Sequence, residues 1–175
     1  MTPFERALEK TLGVEGGFSN DKADRGGATR FGITERVARA NGYTGMMDQL
    51  PAEWATRIYK AQYWDTLRLD HIADVSERVA FEMFDTGVNM GIGRAGVFLQ
   101  RALGALGGSE IKPDGVIGPM TMAALKAFLA HRGRDGETVL LRALNALQAT
   151  RYLEICEADP TQKRFIYGWL LQRVS

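Results

Sequence analysis

Near the start of this 175-residue chain stand a glutamate, an aspartate and a threonine: Glu15, Asp24 and Thr29. Eight residues separate Glu15 from Asp24, and four separate Asp24 from Thr29. Hydrolysis of a glycosidic bond needs two carboxyl groups in unlike surroundings. One protonates the leaving oxygen, and the other activates water or captures the oxocarbenium centre. Glu15 closes a helical pattern just before Gly16-Gly17, where the negative end of the helix dipole opposes its charge. Phe18 and Phe31 would desolvate it further, raising its pKa and keeping it protonated as an acid. Asp24 lies in the polar run D-K-A-D-R-G-G and is expected to stay solvated and ionised. Thr29 can hold a water by a hydrogen bond without competing as a charge. The plainer reading of the same residues is a solvated helix end followed by a turn.

The elements that must position these groups are mostly helical. Thr2-Pro3 reads as an N-cap with proline at the first helical position, and Phe4, Ala7, Leu8 and Leu12 form one apolar stripe. The polar, glycine-bearing stretch 18–33 reads as an exposed loop or short β-hairpin turning at Gly26-Gly27. Thr34 is a candidate N-cap for a helix carrying Val37. A helix from Pro51 carries Trp54, Ile58 and Ala61 and runs into Tyr63-Trp64. Residues 75–90 are apolar almost all round, which marks a central, buried helix. Leu99, Leu103 and Leu106 give the next helix, and G-G-S-E-I-K-P-D-G at 107–115 reads as a turn-rich linker. Pro119 opens a helix, 131–136 looks like a loop, and 137–157 is the longest helical pattern. A last short helix holds Phe165, Trp169 and Leu170. The expected fold class is mainly α: a helical bundle with one small β-hairpin near 18–33. The expected domains are 1–106, which carries these groups, and 107–175, a helical region packed with it in one compact unit.

Composition removes several alternatives. With 22 Lys plus Arg against 21 Asp plus Glu, the net charge is +1, and no global field draws the chain to nucleic acid. The single cysteine, Cys156, forbids an intrachain disulfide and reads as a small apolar filler. The two histidines, His71 and His131, form no H-E-x-x-H, so zinc hydrolysis is disfavoured and no metal or cofactor is expected. Neither a phosphate-cradling P-loop nor a dinucleotide fingerprint occurs. The first residues carry no signal-peptide pattern, and no apolar run reaches membrane-spanning length, so no stable membrane insertion is expected.

The run E-G-G-F-S-N-D-K-A-D-R-G-G-A-T-R-F-G-I-T at 15–34 resembles the signature of glycoside hydrolase family 108. These are phage-type N-acetylmuramidases, comprising endolysins and muramidases tied to secretion. The resemblance continues in I-Y-K-A-Q-Y-W-D at 58–65, F-D-T-G-V-N-M-G at 84–91 and L-Q-R-A-L-G at 99–104. Further on, D-G-V-I-G-P-M-T at 114–121 resembles the family's helical peptidoglycan-binding region. The resemblance implies an α+β lysozyme-like fold with 1–106 as its catalytic region, and Glu15 as general acid, with Asp24 and Thr29 holding the attacking water. The gap between Asp24 and Thr29 is one residue shorter than in the phage lysozymes that the arrangement resembles. It also implies bacterial peptidoglycan as partner and a single-displacement, inverting route, with the two carboxyls about 6.5–9.5 Å apart. A chain of this kind is expected to be a monomer, to accumulate in a host cytoplasm and to reach the periplasm and cell wall after a holin opens the membrane.

Further residues are candidates for binding substrate. Phe31 and Tyr63 could stack on sugar rings or pack in the core. Asp85 and Asn89 lie four apart on one helix face, and could bind hydroxyl or N-acetyl groups or form a buried brace. Arg151, Lys163, Arg164 and Arg173 could make a basic face or simply a solvated surface. Two other functions compete with the muramidase. A lytic transglycosylase needs the glutamate but no water-activating aspartate, and a wall-binding or secretion-accessory module needs neither.

Overall fold

The computed structural model describes residues 1–12, 28–107 and 110–174 in full, and the backbone of 18–19. By packing the chain divides into two units, Met1–Thr66 and Leu67–Ser175.

In the first unit, α1 (Pro3–Leu12) starts on a reciprocal cap. The Glu5 amide donates to Thr2 Oγ1 at 3.2 Å, and the Thr2 amide donates to Glu5 Oε2 at 2.7 Å. Three two-residue strands follow: β1 (Phe18–Ser19), β2 (Thr29–Arg30) and β3 (Ile33–Thr34). They form one antiparallel sheet in that order, with Ser19 opposite Thr29 and Thr29 opposite Thr34. The hairpin expected near 18–33 is therefore a three-stranded sheet. Its β2–β3 turn is Phe31–Gly32; the Gly26-Gly27 turn lies outside the described residues. Thr34 caps α2 (Glu35–Ala40) as expected, accepting the Val37 amide. The helix α3 (Ala52–Tyr59) passes directly into a π turn, Lys60–Trp64, in which the Asp65 amide reaches back to the Lys60 carbonyl at 2.8 Å. Trp64 is fully buried, its ring edge-on to Phe4 at 5.4 Å.

The second unit contains α4 (Leu69–Ala73), α5 (Glu77–Met90), α6 (Ile92–Gly107), α7 (Pro119–Ala158) and α8 (Lys163–Arg173). α5 packs against α4, α6 and α7, burying Val79, Ala80, Met83 and Phe84. The loop expected at 131–136 is helical apart from one break at Gly133 (φ 56°, ψ −143°) inside α7. Cys156 is buried in α7 as a free thiol.

The turn-rich segment after α6 is tied back onto it. Gln100, 2% exposed, donates to Asp114 Oδ1 and to the carbonyl of Val116, and accepts the Gly115 amide at 2.8 Å. Gly115 has φ +81°, and a Cβ on Gly96 would collide with the Gly115 carbonyl. The helix and the segment can meet this closely only because both positions lack a side chain.

That contact is backbone on backbone, so it has no flexible side chain to give way. Gly96→Ala is expected to cost about 1–3 kcal/mol through overpacking. Urea unfolding should show the midpoint lowered with the slope unchanged.

Candidate functional site

Glu15 and Asp24 lie outside the described residues. Thr29 sits in the central strand, half-buried, with β1 on one side and β3 on the other. The Ala28 carbonyl just before it accepts the Glu35 amide at 2.8 Å, tying the start of the strand to α2. The strand that carries Thr29 is thus held along both edges, and the Ala28 bond extends the β3 side.

The turn that follows is unusual in composition. Phe31 has φ +51° and Gly32 has φ +71°. Two positive φ values mark the primed hairpin turn whose twist suits the flanking strands, and whose first position prefers Asn, Asp or Gly. A phenylalanine there costs about 1–3 kcal/mol. The Tyr59 hydroxyl, on α3, donates to the Phe31 carbonyl at 3.2 Å across 28 residues of sequence. A Cβ on Gly32 would strike that same hydroxyl, so the second turn residue must be glycine. Tyr59 is 3% exposed, and its ring lies 5.6 Å from that of half-buried Tyr63, whose hydroxyl pKa is raised by burial. Phe31 is also half-buried, with the Arg30 guanidinium 5.1 Å from its ring centre. Thr29, Phe31 and Tyr63 therefore belong to one connected arrangement, and Tyr59 connects them. Sequence reasoning did not single out Tyr59; its place in I-Y-K-A-Q-Y-W-D was the available signal.

Asp85 and Asn89 belong to the second unit. The Asp85 carboxylate is enclosed among helices. It accepts from Arg173 of α8 at 2.9 Å and from Gln148 of α7 at 3.2 Å, while Asn89 Nδ2 donates to the Asp85 main-chain carbonyl at 2.7 Å. These are the contacts of a brace between α5, α7 and α8. Burial pushes the Asp85 pKa up, and Arg173 and Gln148 pull against it. Burial, with the Asp85 charge adding to it, pushes the Tyr152 hydroxyl up to about 12. Trp169 stacks on Tyr152 at 5.0 Å, giving α8 its aromatic hold on α7. Of the four cations considered for a basic face, Arg173 turns inward to Asp85 and Arg151 pairs with Glu154 at 3.0 Å. Among the described residues, no group of three or more His, Cys, Asp or Glu could hold a metal ion. No helix among them is long and apolar enough to cross a membrane.

The family model for glycosyl hydrolase 108 matches residues 8–91, a stretch that contains Glu15, Asp24, Thr29, Phe31, Tyr59 and Tyr63. Over those residues the chain belongs to glycosyl hydrolase family 108. A second model, the predicted peptidoglycan domain, matches residues 94–174 and so takes in α6, α7 and α8. Together they make the chain a glycoside hydrolase with peptidoglycan as its polymer. The solved structure of Brucella abortus SagA aligns over 98% of this chain and 96% of its own, at 24% identity and a TM-score of 0.61, and shares the fold. A search of curated proteins found no match.

The Asp85–Arg173 pair gives this family 108 chain a pH-dependent weak point. A carboxyl whose pKa is raised on folding favours the folded state when protonated, and that stability is lost as pH rises through the folded pKa. Arg173 offsets the loss by pairing with the ionised form. Replacing Arg173 by Met should cost about 3 kcal/mol near neutral pH, because it leaves an uncompensated buried charge. The deficit against wild type should shrink as the pH is lowered and Asp85 protonates. Urea unfolding at neutral and acid pH measures it; a deficit that grows toward acid contradicts the assignment.

Proposed function

We propose that the chain is an N-acetylmuramidase that cuts the β-1,4 bond between N-acetylmuramic acid and N-acetylglucosamine. The observation that carries this reading is the family 108 match over 8–91, a span whose sequence retains Glu15, Asp24 and Thr29 together. Glu15 donates its proton to the glycosidic oxygen as the bond to C1 breaks. Asp24 accepts a proton from water, and Thr29 orients that water by a hydrogen bond. The water oxygen adds to C1 from the face opposite the leaving sugar, so the β-linked substrate gives an α product. The proton balance closes when Glu15 and Asp24 return to their starting states through solvent. The half-buried Thr29 on a strand fixed at both edges supports the orienting role, since a water-holding hydroxyl must itself be held.

The proposed setting is a phage endolysin: a monomer made in the host cytoplasm that reaches the wall after a holin lesion. Residues 94–174, matched to the peptidoglycan domain, would keep the enzyme on the sacculus between cuts.

A digest of purified Gram-negative peptidoglycan by wild type and by Glu15→Gln tests the chemistry. Product ends are read by mass spectrometry before and after borohydride reduction. Wild type is expected to release reducible N-acetylmuramic ends, and Glu15→Gln is expected to lose at least about a thousandfold in rate. Anhydro-muramic ends would replace this reading with a lytic transglycosylase. A folded wild type that binds sacculi without cutting them would leave a wall-binding module.

A further inference from the structure

We propose that Arg30 and Phe31 form a subsite for an acidic pyranose. The Phe31 ring takes the apolar face of the sugar, and the Arg30 guanidinium takes a carboxylate carried by it. In peptidoglycan that sugar is the N-acetylmuramic acid unit, so the inference rests on the muramidase reading and names which sugar lies here.

The first observation is a conflict between sequence and backbone. Phe31 occupies, at φ +51°, a turn position where Asn, Asp or Gly would sit without strain. Burial does not repay that strain. Phe4, Tyr59 and Trp64 of the same unit are 5% exposed or less, whereas Phe31 is only partly buried. An aromatic residue held in a strained backbone and only partly buried is an outlier of the kind that clusters at ligand sites.

The second observation is that the strained turn is secured from outside. Tyr59 reaches it from α3 with a hydrogen bond to the Phe31 carbonyl, and Gly32 leaves room for the tyrosine hydroxyl. The backbone that carries the ring is thereby fixed before any ligand arrives, which lowers the ordering cost of binding.

The third observation is the cation. Arg30, itself only partly buried, lies over the Phe31 ring at 5.1 Å. A guanidinium parked there is available to a planar carboxylate, which it binds with two parallel N–H donors. The pair directly follows Thr29, the residue assigned to the attacking water. A muramic residue offers a carboxylate in two ways: on its lactyl group where no peptide is attached, or on the stem peptide where one is. N-acetylglucosamine polymers offer neither.

The test uses three soluble ligands: a peptide-free tetrasaccharide of alternating muramic acid and glucosamine units, the same glycan with its stem peptides, and chitotetraose. Each is titrated calorimetrically into the full chain carrying Glu15→Gln, alone or with Phe31→Asn or Arg30→Gln. Phe31→Asn should weaken all three ligands about tenfold while Tm stays level or rises, because asparagine relieves the turn. Arg30→Gln should weaken the acidic glycans about tenfold and leave chitotetraose unchanged. Loss confined to the peptide-bearing glycan assigns the carboxylate to the stem, loss confined to the peptide-free glycan assigns it to the lactyl group, and loss on both shows that Arg30 takes either. Unchanged affinities in Phe31→Asn, a Tm fall of core-residue size in that variant, or equal losses on all three ligands in Arg30→Gln would each overturn the subsite. So would failure of the parent protein to bind any of the three. The muramidase reading fails separately, if wild type binds these glycans yet releases no reducible ends.

Discussion

One hydrogen bond organises the first unit around its chemistry: the Tyr59 hydroxyl on the Phe31 carbonyl. A two-residue turn with both φ values positive is a costly place for phenylalanine, and a three-stranded sheet of two-residue strands has little ladder to hold it. The tether from α3 supplies the missing constraint. It fixes the turn, the turn fixes the register of β2 against β3, and that register places Thr29 opposite Thr34. The π turn that follows α3 belongs to the same arrangement. It widens the helix by one residue per turn directly after Tyr59, and it lets Tyr63 lie against Tyr59 while the adjacent Trp64 is fully buried.

The second unit solves a different problem. Its helices are long and apolar enough to pack without help, as the burial of Val79, Met83, Phe84, Leu99, Leu125 and Leu140 shows. Specific placement comes from polar groups inside that packing. Gln100 satisfies the turn-rich segment around Asp114, and Asp85 gathers Gln148 and Arg173. The last helix, α8, has no fully buried residue, so Trp169 on Tyr152 and Arg173 on Asp85 are its principal attachments. A buried charge used in this way fixes position more than it adds stability.

Much of the fold was legible in the sequence because it rests on local signals. The Thr2 cap, the Thr34 cap, the all-round apolar helix at 75–90, the final helix and the buried Cys156 each follow from residues within a few positions of one another. What was not legible depends on distant partners. Phe31–Gly32 carries no ordinary turn dipeptide, and its stabilising tyrosine lies 28 residues away. The π turn changes a hydrogen-bond register without changing composition. The polar run 131–136 suggested a loop, yet α7 continues through it with a break at Gly133 alone. The side chains that meet Asp85 could not be read from the sequence, because Arg173 lies 88 positions on. Residue type and spacing made Glu15 and Asp24 candidates but left the plainer reading of a helix end and turn open; the resemblance of 15–34 to family 108 favoured them, and both lie within the matched span.

Tyr59 bears on the chemistry only if its tether does more than hold the fold. The decisive measurement is the steady-state hydrolysis of peptidoglycan by Tyr59→Phe, with Tm recorded on the same protein. Removing one hydroxyl should lower Tm by only a few degrees, since a single hydrogen bond is worth about 1 kcal/mol. It should lower kcat/KM by about tenfold or more, because the turn beside Thr29 loses its aim. A variant with kcat/KM within about twofold of wild type would contradict the central claim.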